Sequence, residues 1–437
     1  MAEWSIARAS KACNPQGFGG SNPPLSEIWI LQFKTEFFIF FTMTQTGKKI
    51  LFISHDASRT GAVISFIEIL KWFKANSGIP FQILLKNGGP LKQEFEAIAP
   101  VTDFTSPPDH FFLLKRAAWH LGYRDEKNAY KSAYFRCLKK KLAAGNFSLI
   151  WSNTTTNGEL LEFLSDLKCP VITNVCELDY IIRSFGPENI ARVKKYTKHY
   201  FAISGAVKEY LVQTHGVKPQ DVDVFYPFIP IDRHDTVPYF TKNGFYKDKL
   251  GIPEGAFVVG ASGTRDWRKG PELFIQLAYA VHKRNPAVPV HFVWVGGEPG
   301  QTNFDGLLYD MKNARVEDRM HFVDSNPDTL DYFKNFDVFT MISREEAFGR
   351  VILEAALFGK PTLCFDNSGG PREFVENDSG FVLPYLDIEA MAEKIMLLLN
   401  SSELRERMGA CAFQKIRERY ASRVQGPKLL EALKRFL

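Results

Sequence analysis

SREEAFGRVILEAALFGKP, Ser343 to Pro361, is the stretch whose reading decides the fold. The apolar run DVFTMI before it, Asp337 to Ile342, has strand length. From Ala347 the apolar positions Phe348, Val351, Ile352, Ala355, Ala356 and Phe358 recur at helical spacing. Strand, short acidic loop and helix follow one another. A loop that leaves the carboxyl end of a strand for a helix start carries unpaired backbone N–H groups, and the helix dipole adds partial positive charge there. Such a place suits a phosphate.

Glu346 closes the loop, and Glu354 lies about 12 Å further along a helix rising ~1.5 Å per residue. Two carboxylates flanking an anion site could each accept hydrogen bonds from hydroxyls. A nucleotide sugar offers that layout: sugar hydroxyls, diphosphate, ribose hydroxyls. Glutamate pairs are common in helices, so the pair draws its meaning from its surroundings. These are Ser343, Glu346, Phe348-Gly349, Glu354-Ala355 and Gly359-Lys360-Pro361, then the strand TLCF and Gly369-Gly370-Pro371-Arg372-Glu373. Together they resemble the retaining glycosyltransferases of family 4 (glycosyl transferases group 1), whose E-x7-E motif lies in the second Rossmann-like half of the GT-B fold. The likeness is most specific over Phe257 to Leu399.

A chain of 437 residues with 45% hydrophobic content can build two α/β domains, each with a core. The net charge of +5 falls short of a nucleic-acid binder's footprint. The six cysteines form no C-x-x-C, which argues against a zinc site or disulfide framework and for a reducing, cytoplasmic setting. Peripheral contact with the inner face of a membrane stays open.

Residues 1–46 read as an irregular extension outside the fold. The apolar LSEIWILQFKTEFFIFFTM is interrupted by Glu27, Lys34 and Glu36, which disfavours a spanning helix. Met43 is the expected true start, with residues 1–42 an accidental upstream translation. KKILFISHDASRTGA then gives a buried strand and a polar loop. Ligands in open α/β sheets gather beyond the carboxyl ends of strands, so His55, Asp56, Arg59, Thr60 and Gly61 are placed to meet an acceptor. PFQILLK, FSLIWSN and PVITNV are further strands with helical runs between them, an alternation that indicates a parallel sheet with right-handed crossovers. After PVITNV comes CELDYIIRSFG, where Glu177 is a candidate for binding a hydroxyl. The basic runs RCLKKK and ARVKKYTK read as solvated helix faces, with adhesion to anionic lipid the alternative. Tyr226 to Pro238 is a hinge.

The second half opens with AFVVGASGTRDWRKGPELF. Gly260 and Gly263 are expected in a tight turn and Pro271 in the first helical turn; the glycines do not form G-x-G-x-x-G, which disfavours a nicotinamide cofactor. VHFVWVGG and MHFVD are strands, and the helix PDTLDYF is expected to be capped by Asn326, with Pro327 at its first position.

The resemblance implies GT-B architecture, two Rossmann-like domains facing across a cleft. The expected acceptor-side domain is 47–228, the nucleotide-sugar domain 229–411, and the C-terminal helix 412–437 returns to the first domain. It implies a retaining hexosyltransferase acting in surface polysaccharide or glycoconjugate synthesis. The donor would be a nucleotide-diphosphate sugar and the acceptor a glycan or lipid-linked molecule, with no permanent cofactor, metal or nucleic acid. Glu346, Lys269 and Arg265 would be catalytic. Arg268, Phe348, Gly349, Glu354, Thr264, Val323 and Ser343 would bind donor, and His55, Arg59, Gly61 and Glu177 would face the acceptor. The loop of Glu373 would lie beside the donor sugar. Two departures stand out: Cys176 where many relatives carry a histidine, and Thr264 where an arginine is usual. The rivals are another GT-B enzyme, such as an epimerase or phosphorylase, and a non-catalytic sugar-nucleotide or polysaccharide binder.

Overall fold

The computed structural model describes residues 49–105, 126–231, 245–298, 304–326 and 328–437. The readings of residues 1–42, of Pro327 and of the hinge beyond Ile231 lie outside them. Long apolar runs without alternation belong to strands covered on both faces, and the first half builds such a sheet. Its strands are β1 (Lys49–Ser54), β2 (Phe81–Leu85), β3 (Val101–Asp103), β4 (Phe147–Asn153), β5 (Val171–Val175), β6 (His199–Ala202) and β7 (Val222–Val224). They lie in the order β3-β2-β1-β4-β5-β6-β7, and every pairing is parallel. Phe52, Trp151 and Phe201, all fully buried, pack ring against ring across three of these strands, with Trp151 stacked on Phe201.

The second half repeats the plan with β8 (Phe257–Ser262), β9 (Val290–Val295), β10 (Met320–Val323), β11 (Val338–Met341), β12 (Thr362–Phe365) and β13 (Gly380–Leu383). The order is β10-β9-β8-β11-β12-β13, again parallel throughout. Strand order reverses between β1 and β4 in one sheet and between β8 and β11 in the other. Open α/β sheets bind ligands beyond the carboxyl ends of strands at such points. The loops after β1, β4, β5, β8 and β11 all line one cleft, so the two switch points face each other.

Gly260 lies inside β8 rather than in the following turn. A Cβ there would sit 2.3 Å from the Phe336 ring, so the glycine makes room for core packing. Asn326 does not cap its helix directly: the helix runs Thr329–Lys334, and Asn326 Oδ1 accepts from the N–H of Asp328, the residue just before that helix. The helix Ser422–Lys434 sends Leu429 and Leu433 into the core of the first half.

Candidate active site in the interdomain cleft

The cleft has a volume of about 530 Å³. Its second-domain wall begins with the loop from Ser343. The helix starts at Arg350, later than the apolar spacing from Ala347 suggested; Glu354 stands on it, and Glu346 belongs to the loop, as the sequence reading had it. Glu346 instead pairs with Gly369 in a single parallel bridge; its N–H donates to Ser368 C=O at 2.7 Å, and Gly370 N–H donates to its C=O at 3.0 Å. Gly369 has φ 120° and no room for a Cβ, which would lie 2.1 Å from the Glu346 oxygen. Gly349, at φ 83°, turns the chain into the helix; a Cβ there would meet Met341 Cε at 2.6 Å.

This held loop presents Glu346 to Lys269, whose ammonium donates to Glu346 Oε2. Arg268 Nη1 lies 3.7 Å from the same oxygen. Burial pushes the Glu346 carboxyl up, but Lys269 and Arg268 more than reverse this and hold it below its usual range. Burial lowers the Lys269 ammonium, and Glu346 opposes the change. Ser343 is buried behind Glu346, its Oγ 3.5 Å from the carboxylate, and does not line the cleft. Glu354 accepts from Arg350 Nε at 2.9 Å, while Arg350 Nη1 is buried without a hydrogen-bond partner. Arg350 and Glu354 line the cleft together with Phe348 and Gly349. The sequence reading missed Arg350; its placement one helical turn before Glu354 was the available signal.

Thr264 also lines the cleft, with its hydroxyl donating to Asp266. Arg265, expected to meet the diphosphate, is turned away. It is buried, donates from Nη2 to Asp324 Oδ1 at 2.7 Å, and lies over the rings of Phe304 (4.7 Å) and Phe322 (5.6 Å). The guanidinium is held there by a carboxylate partner and two aromatic faces, with its Nε buried without a hydrogen-bond partner. Val323 is likewise absent from the wall: its carbonyl accepts from Gly296 N–H at 2.9 Å, and Ser325 and Asn326 line the cleft instead. Glu373 accepts from Gly205 N–H (2.9 Å), Ala206 N–H (2.8 Å) and the Tyr226 hydroxyl (3.0 Å), which ties it to the first domain.

The first-domain wall carries His55, Arg59 and Gly61 after β1, Thr156 after β4, and Asn174, Cys176 and Glu177 at the end of β5. A Cβ on Gly61 would meet open space. His55 Nε2 is 3.5 Å from Asp56, and burial lowers its imidazolium below the usual value. Cys176 is held as a thiol because burial, and next the charge of Glu177, raise it well above its ordinary range. Burial likewise pushes the Glu177 carboxyl up to about 7, against hydrogen bonds from Thr155 and Cys176. Among the described residues no three or more His, Cys, Asp or Glu side chains are placed to hold a metal ion, and no helix is long and apolar enough to cross a membrane.

Two parallel sheets facing across such a cleft define the GT-B class of α/β fold. Similarity to solved structures agrees. Anabaena Alr3699/HepE, crystallised with UDP and glucose, aligns with a TM-score of 0.73 at 20% identity, covering 89% of this chain and 99% of that one. WaaG, a glycosyltransferase involved in lipopolysaccharide biosynthesis, aligns with a TM-score of 0.64 at 16% identity, covering 88% and 99%. Residues 243–415 match the family Glycosyl transferases group 1, which bears out the resemblance read from the E-x7-E stretch. The chain is 28% identical to the D-inositol 3-phosphate glycosyltransferase of Corynebacterium glutamicum (strain R) over 172 residues, 39% of this chain and 41% of that protein. It is 28% identical to the N-acetyl-alpha-D-glucosaminyl L-malate synthase of Bacillus anthracis over 214 residues, 48% and 53% respectively. The chain thus spans about half the length of these relatives.

Proposed function

We propose that the protein transfers a hexose from a nucleoside diphosphate sugar to an acceptor hydroxyl, with retention at the anomeric carbon. The observation that carries this reading is the convergence of Lys269, Arg268, Arg350 and the Ala347–Gly349 turn on one cleft, with Glu346 held among the cations. As the bond from the anomeric carbon to the diphosphate breaks, the electron pair and negative charge pass to the leaving group. Lys269, Arg268 and the backbone N–H groups at the helix start stabilise that charge where it develops. Glu346 orients the donor sugar and Glu354 the ribose. Retention comes from the family resemblance, and the chemistry asks for no metal.

UDP and glucose in HepE make UDP-glucose the first donor to test. The named acceptors of the relatives, D-inositol 3-phosphate and L-malate, head the acceptor panel together with mono- and oligosaccharides. Calorimetry with UDP and release of nucleoside diphosphate from a panel of nucleotide sugars test the reading directly. Lys269→Ala is expected to lower turnover by about 10²–10³-fold, and Glu354→Ala chiefly to weaken donor binding. Undiminished turnover in Lys269→Ala would refute it; nucleotide binding without turnover on any acceptor would favour a non-catalytic binder.

A further inference from the structure

The first-domain wall holds one carboxylate that the donor does not explain. Glu177 is 7% exposed, yet it lines the cleft. Its Oε2 accepts three hydrogen bonds, from Thr155 N–H (3.1 Å), Thr155 Oγ1 (3.0 Å) and Cys176 N–H (3.2 Å). Oε1 accepts none from the described residues. The side chain is therefore fixed by one oxygen and offers the other to the cavity.

The backbone that supplies these donors is strained. Thr154, at the end of β4, has φ 80° and ψ 157°, a region that β-branched residues essentially never occupy and that costs on the order of 1–3 kcal/mol. The turn it makes carries Thr155 onto Glu177. Beside them Asn174, 3% exposed and also lining the cleft, has its Oδ1 without a hydrogen-bond partner. The Asn174 oxygen is itself buried, so the free carboxylate oxygen of Glu177 is the acceptor that this wall offers to a hydroxyl donor. Water-exposed carboxylates need no such scaffold.

We propose that Glu177 is a catalytic residue on the acceptor side: its Oε1 accepts a hydrogen bond from the attacking hydroxyl and takes its proton as the new glycosidic bond forms. The acceptor oxygen gains the bond to the anomeric carbon, the diphosphate departs with the electron pair of the broken bond, and the proton moves to Glu177. Because burial raises the Glu177 carboxyl to about 7, the group can both hold and release a proton near neutrality. The Cys176 thiol adjoins it and the charge of Arg268 acts on it from across the cleft, while His55, Arg59, Lys269 and Glu345 line the same cleft.

This inference rests on the glycosyl-transfer reading, and the test separates the two. Release of nucleoside diphosphate by the full chain is followed from pH 5.5 to 9, with the nucleotide sugar that turns over fastest and with water and a polyol panel as acceptors. Wild type is expected to show a rate that rises through about pH 7. Glu177→Gln should lose about 10²-fold in kcat together with that rising limb, while UDP affinity stays within about twofold and Tm is little changed. Glu177→Asp should recover part of the rate and the limb. A Glu177→Gln enzyme with wild-type rate and pH profile overturns the inference alone, as does a rate loss matched by equal losses of UDP affinity and Tm. A wild type that neither binds UDP nor releases nucleoside diphosphate from any donor overturns the functional reading beneath it.

Discussion

Lys269 and Glu346 form an ion pair with side chains only 13% and 10% exposed. Removing one partner of such a pair strands a charge in a poorly solvated place, whereas removing both does not. Lys269→Met and Glu346→Gln should each destabilise the protein by about 3 kcal/mol, and the double variant by clearly less than the sum. Urea unfolding of the four proteins measures the coupling, and strict additivity would contradict it. A second residue-scale prediction concerns His291 and His321 on neighbouring strands, with Nδ1 and Nε2 3.2 Å apart. Burial, then the neighbouring His321 and Arg319, lowers the His291 imidazolium from 6.5 to about 4. The native state keeps His291 neutral where the unfolded chain already takes up a proton. Stability is therefore complete above pH 6.5 and falls as pH drops from 6.5 toward 4. His291→Gln should flatten the dependence of the urea midpoint on pH across that window; an unchanged slope would show that the site does not titrate this way.

At the scale of elements, the helix Gly205–His215 draws its capping from two domains. Ser204 Oγ accepts from Val207 N–H at 3.1 Å and donates to Ala347 C=O at 2.6 Å, while Glu373 accepts the first two helical N–H groups from the opposite side. Negative charge at a helix start also answers the dipole. Ser204→Ala should cost about 1 kcal/mol in thermal or urea unfolding. Glu373→Ala should speed amide exchange at Gly205 and Ala206, and protection equal to wild type would argue against the cross-domain cap. The interior strands were legible because they are long and continuously apolar, such as FVVGAS and FSLIWSN. The edge strands β3 and β13 were not: three and four residues, VTD and GFVL, are too short to show a period.

For the molecule as a whole, the last helix packs against the first domain. Gly426 lies so close to Trp72 that a Cβ would sit 2.1 Å from the indole, and Leu429 and Leu433 are fully buried among first-domain residues. Arg435 adds an ion pair to Asp223 at the end of the first sheet. Leu433→Ala should destabilise the protein by about 2–5 kcal/mol, the range for a large-to-small change in a core. A variant with wild-type Tm would mean that the helix contributes little to the first domain.

Local physics carries the readings that the sequence made by itself. Apolar run length distinguishes strand from helix, the loop-to-helix transition after DVFTMI suits an anion, and the spacing from Glu346 to Glu354, with the family resemblance of its surroundings, points to a nucleotide sugar. Glu346 and Glu354 were named from that pattern and Lys269 from the family resemblance, and all three line one cleft. What neighbours in space decide could not be read along the chain. Arg265 and Arg268 stand three residues apart with the same side chain, yet one is buried between rings and the other faces the carboxylate of Glu346. Glu177 was a candidate for binding a hydroxyl from the sequence, but that the strained turn of Thr154 fixes one of its oxygens shows only once the chain is folded. The orientation of a long side chain and the solvation of a carboxylate depend on contacts from distant segments, and only the tertiary structure supplies those.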